Sequence, residues 1–96
     1  LFRSLMMPCP EREDHLSDAL ELAARQARVL ALLKLGRRWH WVRQVLERRQ
    51  LLASSLFAER VGWPDQTLEK AQDVPGGARP YFSLLLIRQS WPEVLP

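Results

Sequence analysis

Ninety-six residues, 47% of them hydrophobic and 26% charged, with a net charge of +3, leave room for one small domain and are too apolar for a disordered chain. The longest apolar run, Val29 to Leu33, falls far short of the ~18 residues that a membrane-crossing helix needs, and a lone cysteine, Cys9, excludes an intrachain disulfide. These limits lead to the expectation of a soluble, intracellular chain, nuclear or cytoplasmic, without a membrane partner.

Residues 1–9 read as an apolar lead-in that ends at Met7-Pro8-Cys9-Pro10, where two prolines restrict the residues before them. From Pro10 to Val61 no proline intervenes, and Leu, Ala, Arg, Gln and Glu, all strong helix formers, dominate. Pro10 suits a first helical position, and Glu11, Glu13 and Asp14 put negative charge where the helix dipole favours it. This stretch predicts one long amphipathic helical arm over about 10–61. Unbroken, it would reach roughly 75 Å at the α-helical rise.

Within the arm the apolar residues Leu16, Leu20, Ala23, Ala27 and Leu30 recur at alternating spacings of four and three, which defines one helical face. A second seam, Leu35, Trp39, Val42 and Leu46, passing through Arg49 and resuming at Ala53 and Leu56, has the same spacing but is out of phase with the first by one residue. Between the two, Val29 to Leu35 is apolar all round, and Gly36 follows. Two readings of 33–37 stay open: a kink where the buried face rotates, or a hairpin of two helices. The segment has one glycine and no Pro, Asn, Asp or Ser, which favours the bent, continuous helix.

The arm is expected to stop at about Val61, where Gly62 is placed for a left-handed cap and Pro64 forbids continuation. Over 62–80 the sequence predicts a short helix capped by Asp65 and a Pro/Gly loop. Over 81–96 it predicts a C-terminal helix, rich in apolar residues from Phe82 to Ile87, and an extended tail. A strand there would have no partner in an otherwise helical chain.

No residue set with catalytic or metal-binding spacing emerges. His15 and His40 lie far apart, and Cys9 sits between prolines. Neither a cofactor nor a metal is expected. From Arg25 to Arg49 there are eight basic residues against one acidic, and Arg37, Arg38, Arg43, Arg48 and Arg49 would attract phosphates. On a helix they spread around the axis instead of forming the single stripe that a groove-binding helix needs.

The reading that results is an all-α, non-enzymatic subunit or adaptor, hetero-oligomeric with other protein chains through coiled-coil-like seams. Its contacts would come from Leu16, Leu20, Ala23, Ala27, Leu30, Leu35, Trp39, Val42, Leu46, Ala53 and Leu56, with Phe82, Leu85 and Trp91 from the last element. The alternative is a basic helical module that contacts DNA or RNA through the five arginines.

Overall fold

A run of five apolar residues fits a strand buried on both faces as well as it fits a helix turning its buried side. In the computed structural model, which describes residues 4–59, 64–76 and 83–89, Val29–Leu33 is such a strand, β2. It lies beside β1 (Ser4–Pro8) in parallel and beside β5 (Ser83–Ile87) in antiparallel register. β3 (Ser55–Glu59) follows, paired with β5, and β4 (Thr67–Lys70) forms the edge. The sheet order is β1-β2-β5-β3-β4. The parallel pair requires a crossover, which is helix α1 (Glu13–Arg25), and a second helix, α2 (Trp39–Arg48), links β2 to β3.

The fold is therefore mixed α/β, and the expectation of an all-α chain with coiled-coil packing is corrected. The molecule's longest dimension is 32 Å, less than half of what an unbroken helical arm would need. The arm over 10–61 is replaced by a helix, a strand, a second helix and another strand. The one-residue slip between the two seams marks the passage from one helix through a strand to the next, not a kink.

Both helices end without a glycine. After α1, Ala27 takes φ 52° while its N–H donates to the Ala24 carbonyl (3.2 Å) and that of Arg28 to the Ala23 carbonyl (2.9 Å). After α2, Gln50 takes φ 60°, with bonds from the Gln50 N–H to the Glu47 carbonyl (3.1 Å) and from the Leu51 N–H to the Leu46 carbonyl (2.8 Å). This is the Schellman arrangement, in which the left-handed position usually falls to glycine. With Ala and Gln there instead, the sequence carries no stop signal at either end.

The faces of the helices match the seams over part of their length. Leu16, Leu20 and Ala23 of α1 and Trp39, Val42 and Leu46 of α2 are buried against Leu30, Leu32, Phe57, Leu85 and Ile87 of the sheet. Each fully buried side chain of this size contributes about 1.5–3 kcal/mol. Trp39 sits at the centre: its ring lies 4.9 Å from that of Phe57 at 59°, and its Nε1–H donates to the Pro75 carbonyl at 2.9 Å. The indole thus meets both the apolar and the polar demands of burial. Gln89 Nε2 donates to the Leu20 carbonyl (2.8 Å), tying the chain just beyond β5 to α1.

Strand alternation places the remaining sheet residues on the opposite face. Register aligns Met6, Ala31, Leu86 and Leu56 in one row, with Lys70 at its end, and Pro8, Leu33, Leu84, Ala58 and Leu68 in the next.

The expected short helix after Asp65 is instead strand β4, preceded by a turn. The expected C-terminal helix is strand β5. The absence of a partner strand argued for a helix only while β2 and β3 were read as helical. The stop at Val61 and Gly62, Phe82 and the tail from Trp91 lie outside the described residues.

Candidate functional site

In open α/β sheets, ligands favour the carboxyl ends of parallel strands. Here that end is formed by Cys9-Pro10-Glu11 after β1 and Lys34-Leu35-Gly36-Arg37-Arg38 after β2. The Cys9 N–H donates to the Leu33 carbonyl at 2.7 Å, so the two connections leave the sheet side by side. Lys34 has φ 60° and Gly36 φ 52°, with Leu35 right-handed between them. Alternation of left- and right-handed residues turns successive N–H groups toward one concavity, a geometry that suits anions. A 3-10 turn, Gly36–Arg38, starts there with no side-chain cap and no acidic residue in its first turn, and runs straight into α2.

Charge supports the same chemistry. Lys34, Arg37 and His40 are exposed around this loop. Arg38 donates to the Lys34 carbonyl at 3.1 Å and pairs with Glu11 at 3.3 Å, which braces the loop against the β1 end. Cys9 lies beneath it. Burial pushes its thiol up from 9.0 to about 11, against a weaker downward pull from Arg38. The thiol is therefore protonated at neutral pH and a poor nucleophile. Among the described residues no three His, Cys, Asp or Glu side chains gather as a metal site, and His15 and His40 are exposed on different helices.

Most seam residues singled out as protein-binding lie inside the chain. Leu16, Leu20, Ala23, Leu30, Leu35, Trp39, Val42, Leu46 and Leu85 are buried in its own core. Ala27 is exposed in the turn after α1, Ala53 is exposed in a 3-10 turn, and Leu56 is 40% exposed on the sheet face away from the helices. Of the five arginines, three hold the fold together. Arg38 braces the loop, Arg43 donates to the Val74 (2.9 Å) and Gln72 (3.1 Å) carbonyls, and Arg48 pairs with Glu13. Arg37 and Arg49 are exposed, one at each end of α2. Lys34 was not singled out from the sequence. Its signal was the Lys-Leu-Gly triplet directly after an apolar strand, visible only once that run is known to be a strand.

No family model matches the chain. The crystal structure of the methyltransferase CobJ superposes with a TM-score of 0.58 at 18% identity, covering 93% of this chain and 41% of that one. The chain shares its fold with part of a methyltransferase. Among curated proteins, the cobalamin biosynthesis protein CobIJ of Mycobacterium bovis and of Mycobacterium tuberculosis is 38% identical over 56 residues, or 58% of this chain. The chain spans 11% of the length of these relatives. These findings overturn the expectation of a non-enzymatic helical adaptor: the fold is that of part of a methyltransferase, and the curated relatives are cobalamin biosynthesis proteins.

No helix among the described residues is long and apolar enough to cross a membrane.

Proposed function

We propose that this chain is a structural unit of a methyltransferase of the kind used in cobalamin biosynthesis, and that its loop at the carboxyl ends of β1 and β2 binds an anionic group of a ligand. The observation that carries the reading is the agreement of two likenesses. The fold matches a methyltransferase over 93% of the chain, and 56 residues are 38% identical to a cobalamin biosynthesis protein. The loop supplies what such a unit needs from its chemistry: left-handed backbone at Lys34 and Gly36, and exposed cations at Lys34 and Arg37.

Cys9 is buried and protonated, and His15 and His40 are exposed on different helices. Methyl transfer moves a carbon from donor to acceptor, so positioning of the two reactants can supply much of the catalysis. A binding role for the loop is consistent with that chemistry.

The test is transfer of an isotopically labelled methyl group to cobalamin precursors by the full polypeptide that carries this chain. Lys34→Ala with Arg37→Ala is expected to reduce kcat/KM about tenfold or more, the scale of losing charge-assisted hydrogen bonds. Unaltered kcat/KM would remove the loop from the site, and absence of any methyl transfer would overturn the reading.

A further inference from the structure

We infer that Arg38, aimed by Glu11, is a positioning residue of the anion-binding loop: it fixes the backbone that presents Lys34 to the ligand and does not itself contact the anion. This rests on the anion-binding reading of the loop. The three cations of the loop are used differently. Lys34 and Arg37 are exposed. The half-buried Arg38 guanidinium is committed on both arms of its fork, Nη1 donating to the Lys34 carbonyl at 3.1 Å and Nη2 to the Glu11 carboxylate at 3.3 Å.

The bond to the Lys34 carbonyl falls where the backbone most needs holding. Lys34 has φ 60°, a left-handed conformation that a residue with a Cβ adopts only when its surroundings impose it. A peptide unit is planar, so fixing the direction of the Lys34 carbonyl fixes the plane that follows Lys34. The next carbonyl, of Leu35, accepts the backbone N–H of the same Arg38 at 2.9 Å. Arg38 thus holds two successive peptide units, and with them the direction in which the Lys34 side chain leaves the loop.

Glu11 completes the arrangement from the end of β1. Its side chain is 81% exposed, and an ion pair so open to water adds little to stability. What it supplies is direction, because a planar guanidinium held at one arm by a carboxylate has its other arm aimed. A lysine at position 38 would keep the charge but lose the fork. The two roles open to Arg38, positioning and direct contact with the ligand, therefore predict different responses to substitution.

Glu11→Ala, Arg38→Lys and the double variant, each in the full polypeptide that carries this chain, are assayed for transfer of labelled methyl, with KM for the methyl donor and for a cobalamin precursor measured separately. Arg38→Lys is expected to raise about tenfold the KM of whichever substrate also loses affinity in Lys34→Ala with Arg37→Ala, with kcat within about twofold of wild type. Glu11→Ala is expected to raise the same KM about threefold at an unchanged melting midpoint, although removing a negative charge near an anion would by itself lower it. The double variant is expected to be no worse than Arg38→Lys, as for residues acting through one another. An unchanged KM in either single variant overturns the inference, as does a loss confined to kcat. A lower KM in Glu11→Ala overturns it in favour of Arg38 as a direct ligand with Glu11 as its competitor. Should Arg38→Lys fold poorly, the exposed Glu11 position decides alone. Unaltered kcat/KM in Lys34→Ala with Arg37→Ala overturns the anion-binding reading itself, and this inference with it.

Discussion

Ala27 and Gln50 carry a backbone conformation that L side chains adopt at a cost of about 1–2 kcal/mol. The Schellman bonds around them and the packing of their helices hold them there. Gln50→Gly relieves that cost and is expected to stabilise the chain by about 1 kcal/mol, somewhat offset by the greater freedom of glycine in the unfolded state. Urea denaturation would show a higher midpoint at unchanged slope, and a lower midpoint would mean that the left-handed turn after α2 is not formed. Cys9 provides a second test at this scale. Its folded pKa of about 11 lies above the unfolded value of 9.0, so its contribution is fully present below pH 9 and is lost as pH rises through 11. The stability difference between the wild type and Cys9→Ala should therefore be constant below pH 9 and shrink between 9 and 11. A difference that stays level across that window would show the thiol to be solvated.

At the scale of elements, the buried faces of α1 and α2 were legible, because Leu16, Leu20 and Ala23, and then Trp39, Val42 and Leu46, keep the helical spacing. What lay between them was not. Val29 to Leu33 has no polar alternation, since a central strand with both faces covered loses the period of two, and no Gly or Pro separates it from α1. Ala27 and Gln50 hide the helix ends for the reason just given. The misreading then spread, because with β2 and β3 taken as helix the run Ser83–Ile87 had nothing to pair with. The candidate site followed the same course: Arg37 and Gly36 were noticed, but a loop at strand ends has no meaning without the strands. The sheet makes unequal demands on its members. Leu32→Ala, at a position 0% exposed in β2, should cost about 2–5 kcal/mol, and Leu68→Ala, at a position 60% exposed in edge strand β4, less than about 0.5 kcal/mol in the isolated chain. Equal losses in thermal denaturation would contradict the strand order.

For the whole molecule, the functional reading and the anion-binding loop both depend on the sheet. The loop has its place because β1 and β2 run parallel, and β2 is held at the centre of the sheet by β5 and, beyond it, β3. The likeness to the methyltransferase is a likeness of this architecture. The measurement that tests it most directly is the set of nuclear Overhauser contacts made by β2. Cross-strand backbone contacts are predicted between Leu32 and Leu85 on one side and between Met7 and Leu32 on the other, following the register. Helical contacts running unbroken through Val29 to Leu33, with none from Leu32 to Leu85, would contradict the account.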